Sequence, residues 1–565
     1  MKKKETKDVL KLIPLGGHGE IGKNSWIVES ETGIVILNFG MMLPGTDLTG
    51  VDLILPNTSY LSKNQSKIKG LILTSAHDDS SGGVFYLLDK VNIPKIWGTK
   101  LAIEGLKAQS KIIKKLPECE YIESRKEFTI DDFSVLPIRN TSVLPDTYGL
   151  YIKHTTGNIL YTGSYKVDQT PLDNKLLDYY MYSKAGEDGI DLLIADSTNI
   201  ETPGYSQSER FITKKFDEIF KESSSRIIIV SYANNLYKFQ IIFKLAQKNG
   251  KKVFLSGDHL IHKVHTAIDS GFIDFDKNLF VQEKDLNDLK DHEIVILASG
   301  KYGDFLSTLI SIAKMEHPQI KIKPKDIVII SSNPPPGTAR TLAHTIDQFF
   351  VQKVQVIGGR GQGVHVSGHS AQEEAKFMLT VTKPRSFAPS CGEERQLVQY
   401  GNIGEVIGIS PNDIHILKNG DVVELREQVA RFANKIPAQS IYYNQAKNLD
   451  IDETTMKERI ALSEEGTITV ALGVDEKKNI IAGPEILAEA CSFAKGKDWR
   501  AFCLGTVELV KDSVKQAVER EEKEILSLKA IVRDVVNKSV LELIGRRPLI
   551  NVSIQEISST VANKN

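Results

Sequence analysis

Cysteine is scarce in these 565 residues, with four at positions 119, 391, 491 and 503. Their wide spacing gives no Cys-x-x-Cys pair and no disulfide framework, which suits a reducing compartment, so a cytoplasmic location is expected. No run of 18 apolar residues occurs, and Met1-Lys2-Lys3-Lys4-Glu5 is not followed by an apolar stretch. Neither a membrane span nor a secretory leader is therefore expected. Charge of one sign is missing as well: the net charge is −1 and the sequence pI about 6.9. Bulk charge gives no sign of a nucleic-acid partner, and any such contact must come from a local groove. What is present, 41% hydrophobic and 25% charged residues, is ordinary for a globular chain of three or four domains.

The first part alternates β-like runs with turns. Leu10–Leu15, Ser25–Glu29, Ile34–Asn38, Leu71–Thr74, Tyr148–Ile152, Ile159–Tyr161 and Asp191–Ala195 read as strands. From about Ser208 the period changes. Glu209–Glu222 and Leu236–Asn249 read as helices between the strands Arg226–Val230, Lys252–Leu255, Glu293–Ala298 and Asp326–Ser331, as in a parallel α/β layer. Helical period resumes from Gln372 to Val381. Asp413–Leu425 reads as strand–turn–strand about Asn419-Gly420, and the polar stretch 444–458 as a linker. Gly466–Val474, Ile480–Ile486 and Leu549–Ile557 read as strands around the helices Val507–Lys523 and Glu524–Ile544. Val507, Val510, Val514 and Val518 form an apolar stripe, better read as core than as a partner site.

One segment carries chemistry. Residues 71–83 read Leu-Ile-Leu-Thr-Ser-Ala-His-Asp-Asp-Ser-Ser-Gly-Gly, a strand running into a loop dense in polar groups. It resembles the metal loop of metallo-β-lactamase-fold nucleases, T-H-x-H-x-D-H-x-G-G. Gly16–Asn24, Val51–Tyr60, Tyr161–Pro171, Leu193–Glu201, His365–Glu374 and Ile416–Leu425 narrow the resemblance to ribonuclease J. In the tail, Ala482-Gly483-Pro484 and Arg546-Arg547-Pro548 extend it to essentially the whole chain.

The resemblance implies an α/β protein: a metallo-β-lactamase αββα sandwich over 8–208 and 371–442, split around an inserted β-CASP α/β domain over 209–370. A linker over 443–458 and a small C-terminal α/β domain over 459–565 complete it. It also implies a centre of two divalent cations, zinc or manganese, held by five His and two Asp, which generate hydroxide for attack on phosphorus. At those seven positions this chain has Ser75, His77, Asp79, Ser80, Ser142, Ser164 and Cys391. Only His77 and Asp79 match, and in the family pattern they serve different metals. The bridging carboxylate position is Ser164, and Asn38 replaces the Asp of a D-x-G turn. No two-metal site is expected, and so no cofactor. The alternative left open is one metal on His77, Asp79, Cys391 and a neighbour such as Asp78.

Two positions matching the family's proton-handling pair remain, Asp196 and His369; without metals a hydrogen-bonding role holding loops together is the blander reading. The His365-Val366-Ser367-Gly368-His369 loop resembles the family's grip on RNA phosphates, with Gly368 allowing close backbone approach and a helix from Ser370 following. Asn234 and Asn235 align with the segment that contacts the substrate's 5′ end. The family's following His-Arg is here Tyr237-Lys238, and its G-S-Q-G-E is Gly300-Lys301-Tyr302-Gly303-Asp304. The expectation is a ribonuclease J-like subunit of mRNA turnover and rRNA maturation with little or no activity of its own. Its partners would be 5′-monophosphorylated single-stranded RNA and an active ribonuclease J paralogue, in a homo- or hetero-dimer or tetramer. The alternative is a weak metal-dependent 5′→3′ exoribonuclease or endoribonuclease using a rearranged site.

Overall fold

The computed structural model describes residues 9–45, 48–110, 116–275, 277–335, 337–359 and 361–557. Alternation of side chains builds its first layers. In the strand Leu10–Gly16, Leu10 and Leu12 face one way and Ile13 and Leu15 the other, and all four are buried. Such two-sided burial is possible only where a sheet is covered on both faces. That strand lies third in an eight-stranded sheet ordered Val429–Lys435, Asp421–Arg426, Leu10–Gly16, Ser25–Glu29, Ile34–Leu37, Ile68–Leu73, Lys95–Gly98, Glu118–Tyr121. A six-stranded sheet runs Ser386–Ser390, Leu192–Asp196, Gly157–Tyr161, Tyr148–His154, Phe133–Arg139, Phe128–Ile130.

Leu12, Trp26 and Val28 of the first sheet pack on Val135, Leu150, Ile159 and Ile194 of the second. On the outer face of the first sheet, Ile13, Ile36 and Leu71 meet Leu87 and Ile103 of two helices. On the outer face of the second, Leu160 and Leu193 meet Met181, Met378 and Tyr400 of three helices. The arrangement is an αββα sandwich. It is built from two distant stretches of chain: Leu10 pairs with Leu425, and Leu193 with Phe387.

Between those stretches lies a six-stranded sheet ordered Phe280–Val281, Lys252–Ser256, Ile294–Ala298, Ile227–Val230, Ile327–Ile330, Gln355–Gly358, with every neighbouring pair parallel. Ile227 and Ile229 pack on one helical layer, which includes Phe216, Phe239 and Leu260, while Ile228 and Val230 pack on Leu309 and Phe349 of another. The helices anticipated here run Phe211–Glu222 and Leu236–Lys248.

Two expectations fail. Before Asn419-Gly420 there is no strand, only a single 3₁₀ turn at Pro411–Asp413; Gly420 N–H is held instead by Pro14 O at 2.7 Å. Asp421–Arg426 pairs with Val429–Lys435, across Glu427 and Gln428, both at positive φ, a turn without the Asn-Gly signature. The polar stretch read as a linker carries regular structure: strands Ile441–Asn444 and Leu449–Ile451, and a helix Glu453–Glu465 whose N-terminus Asp452 caps by accepting from Thr455 N–H at 2.7 Å. A helix that buries only Met456 leaves no apolar period to read.

The C-terminal unit stands by itself. Thr467–Val474 lies between antiparallel Ile480–Glu489 and parallel Leu549–Glu556. Its inward side chains Ile468, Val470 and Leu472 pack on Val510 and Val514 of the helix Gly496–Glu519 and on Leu528, Val532, Val536 and Val540 of the helix Ile525–Ile544. Val510, Val514 and Val518 of the valine stripe thus belong to a core.

Candidate functional site

The loop at 75–83 follows the strand Ile68–Leu73 and is held by its backbone. Asn24 N–H donates to Asp79 O (2.8 Å), Phe39 N–H to Ser80 O (2.9 Å) and Met41 N–H to Asp78 O (2.9 Å). Gly40 comes so close that a Cβ there would lie 1.6 Å from Asp79 O, which explains glycine after Asn38-Phe39. Asn38, at φ 58°, donates through its side-chain amide to Thr74 Oγ1 (3.0 Å) and Tyr161 OH (3.1 Å). An amide can do this and a carboxylate cannot.

Five of the seven positions of the metal pattern use their side chains on one another or on backbone, and Ser164 and Cys391 are held through their main-chain carbonyls. His77 Nδ1 lies 2.8 Å from Asp79 Oδ1, and Ser80 Oγ donates to the same oxygen at 2.8 Å. Ser75 Oγ accepts from His77 N–H (3.1 Å). Ser142 Oγ donates to Gly368 O (3.1 Å), and the carbonyl of Ser164 accepts from Asn140 Nδ2 (3.3 Å). Cys391 is buried at φ 57°, its carbonyl accepting from Thr198 Oγ1 (2.6 Å). Burial pushes its thiol well above the ordinary range, with the Asp196 carboxylate acting the same way, so it stays a protonated thiol and a poor ligand. Burial also raises the Asp79 carboxyl, but His77 beside it outweighs this and holds it below the usual range. Among the described residues no three His, Cys, Asp or Glu side chains are placed to hold a metal ion. Two divalent cations need about seven donors with a bridging carboxylate. Four serines and a buried thiol among the seven do not fit that requirement.

Asp196 and His369 do meet. His369 Nδ1 is 2.6 Å from Asp196 Oδ2, while Asp196 Oδ1 accepts from Thr198 N–H (3.0 Å) and Oγ1 (2.6 Å). Burial lowers the His369 pKa, but the Asp196 carboxylate more than reverses this, and the imidazole is raised. The helix after the loop starts at Gln372, and its N-terminus is already occupied. Glu374, fully buried, accepts from Ala371 N–H (2.6 Å), Ser206 N–H (2.8 Å) and Val167 N–H (2.6 Å). At the terminus itself Gln372 N–H donates to Thr202 O (3.1 Å) and Glu373 N–H to Gly204 O (3.0 Å), so the chain's own acceptors stand where a phosphate was expected. Gly368 is likewise explained from within: a Cβ there would lie 2.5 Å from Val143 Cγ1.

Asn235 caps the helix Leu236–Lys248 by accepting from Lys238 N–H (2.9 Å) and donates to Glu209 Oε1 (3.3 Å). Asn234 Oδ1 accepts from the Lys263 ammonium. Val366 is buried with the core of the parallel sheet. His365 Nδ1 lies 3.3 Å from Lys238 Nζ. Burial, reinforced by that lysine, pushes the imidazole well below its ordinary pKa, and burial brings Lys238 down to about 8.

Sequence reading missed three basic groups. Lys166, fully buried, donates to Ser367 O and Gln207 O (3.0 Å each) and lies 3.5 Å from Glu209 Oε1. It stood inside the Tyr161–Pro171 motif without a role. His259 and Lys263, one helical turn apart on Asp258–Asp269, both reach Asp78, at 2.9 and 2.8 Å. Lys263 also donates to Ala76 O (3.1 Å). The carboxylate named as a spare metal ligand is thus committed to two side chains. Their i,i+4 spacing was the available signal.

Comparison with known proteins gives a consistent answer. The family described as "Ribonuclease J, beta-CASP domain" matches residues 224–349, and "Ribonuclease J C-terminal domain" matches residues 454–557. The chain is 33% identical over 560 residues to Ribonuclease J2 of Bacillus subtilis (strain 168), covering 99% of this chain and 100% of that one. It is 36% identical over 495 residues to Ribonuclease J of a Synechocystis species, covering 86% of this chain and 76% of that one. Among solved structures, a protein of unknown function from Enterococcus faecalis V583 superposes with a TM-score of 0.52 at 12% identity, over 74% of this chain and all of that one. That match supports the fold alone.

Proposed function

Because this chain belongs to the ribonuclease J family, we propose that it serves RNA processing and decay as a subunit with little or no nuclease activity of its own. It would bind 5′-monophosphorylated single-stranded RNA along the 365–369 loop and associate with an active ribonuclease J paralogue, in the cytoplasm, in mRNA turnover and rRNA maturation. The observation that carries the reading is the commitment of the metal-pattern positions. Ser80 and His77 bond Asp79, Ser142 bonds Gly368 O, and Cys391 is a buried thiol. No step of hydrolysis is assigned to such a centre. His365 and Ser367 are partly exposed, beside the buried Lys166, which holds Ser367 O, and the buried Lys238, which reaches His365. Lysines set directly beside the loop suit phosphate where bulk charge does not.

The test is elemental mass spectrometry of purified protein beside a degradation assay on 5′-monophosphorylated RNA. Under about 0.2 zinc or manganese per chain with no turnover is expected. Near-stoichiometric metal with turnover that a chelator abolishes would replace this reading with that of a weak metal-dependent nuclease. Co-purification with an active paralogue tests the partner; its failure at micromolar concentration refutes the association.

A further inference from the structure

We infer that Ser142 is a positioning residue. Its hydroxyl, at a position where the family pattern has a metal-ligating histidine, joins Lys166 in holding the 364–369 loop in an anion-receiving shape with no metal present. The inference rests on the RNA-binding reading above and adds to it how the loop is kept in shape.

Four of the loop's six carbonyls have a side-chain donor among the described residues. Val364 O accepts from Ser331 Oγ (2.5 Å), Ser367 O from Lys166 Nζ (3.0 Å) and Gly368 O from Ser142 Oγ (3.1 Å). His369 O accepts from Ser206 Oγ (2.6 Å) and Asn199 Nδ2 (3.2 Å). Ser142, Lys166 and Ser331 are buried and come from separate strand ends of the sandwich and the parallel sheet. The loop is fixed at its end by the His369–Asp196 bond, and Gly368 is pressed onto Val143, the neighbour of Ser142.

Within this run Val366 and Gly368 are buried, whereas His365 and Ser367 are partly exposed and their N–H groups donate to no protein group among the described residues. Backbone N–H groups left free in this way receive an anion, and their value depends on the neighbouring carbonyls staying where they are. An imidazole at 142 committed to a metal would hold the centre through that metal. A hydroxyl there has a proton to donate and gives it to Gly368 O. The serine is therefore a replacement tie, which lets the loop keep its shape in a centre whose donors do not fit cations. Ser80 and Ser75 act in the same sense on Asp79 and on His77 N–H.

The experiment uses the full chain in EDTA, with two readouts. Methyl NMR of Val143, Val364 and Val366 reports loop order without RNA, and fluorescence anisotropy with a 5′-monophosphorylated oligoribonucleotide reports binding. For the wild type, single sharp methyl resonances unmoved by EDTA or added zinc are expected. Ser142→Ala should broaden or double the Val143 and Val366 signals and weaken RNA binding about fivefold, the effect of one lost hydrogen bond. Ser142→Thr, which keeps the hydroxyl, should restore both. Should position 142 tolerate neither change, Ser206→Ala removes the donor on His369 O and reads the same coupling. Unchanged methyl signals in Ser142→Ala, or a loosened loop with undiminished RNA affinity, overturns the inference. An ordered wild-type loop that loosens in Ser142→Ala, in a protein that binds no RNA, overturns the RNA reading and leaves the positioning role standing.

Discussion

Asp78 ties the sandwich to the parallel-sheet layer, and breaking that tie has a size that can be worked out. Its carboxylate is 2.8 Å from Lys263 Nζ and 2.9 Å from His259 Nε2, and all three side chains are between 12% and 14% exposed. Removing one partner of a fully buried pair costs about 3–5 kcal/mol, and an exposed pair about 0–1. With this partial exposure, and with Lys263 keeping Ala76 O and Asn234, we expect a coupling of about 2 kcal/mol between Asp78 and Lys263. Asp78→Asn, Lys263→Met and the double variant form the cycle. Global unfolding of so large a chain is not two-state. The assay is therefore native-state hydrogen exchange of the amides in the helix Asp258–Asp269. Each single change should speed exchange about 30-fold, and the second should add little to the first. Additivity within about 0.5 kcal/mol would refute the coupling. The sign with pH follows from the carboxyl itself. Burial raises it, but His259 and Lys263 outweigh burial and hold it well below its ordinary 3.8. Its contribution is thus complete at neutral pH and fades as pH falls below the unfolded value.

Two further outcomes are expected. Burial drops the His18 pKa from 6.5 to about 4, so the unfolded chain takes up the extra proton first. Stability should fall by up to about 3 kcal/mol as pH goes from 6.5 to 4, and His18→Phe should flatten that part of a melting-temperature profile; an unchanged slope refutes it. Gly40→Ala must displace Asp79 O, so a loss of about 3 kcal/mol or insoluble protein is expected, whereas a wild-type melting temperature would show that the 75–83 loop yields freely.

How far the sequence could be read depended on where each signal resided. Strands buried on both faces, such as Ser25–Glu29 and Leu192–Asp196, announce themselves as apolar runs and were found within a residue. Val429–Lys435 buries only Ala430, and its turn lacks glycine, so nothing local marked it. The same division holds at the site. Asp196 and His369 were identified as a pair by motif and do meet. His259, a partner of Asp78, lies 181 residues away on a helix with no motif of its own, and only the fold brings them together. Ser142 was counted as a lost ligand; its bond to Gly368, 226 residues on, was beyond any sequence pattern.

The pairing of Leu10 with Leu425 also sets an order of events during synthesis. His18 N–H waits for an acceptor, Asn419 Oδ1, that is 401 residues further along the chain. At a translation rate of roughly 5–20 residues per second, that wait is on the order of 20–80 s. The strands from Ile227 to Gly358 are all made in between and pair only with one another, so this parallel sheet can close on the ribosome while Leu10–Gly16 still presents an unpaired apolar edge. The nascent chain's exposure to aggregation is therefore concentrated at that edge and at Leu192–Asp196, which lacks Ser386–Ser390 for the same reason.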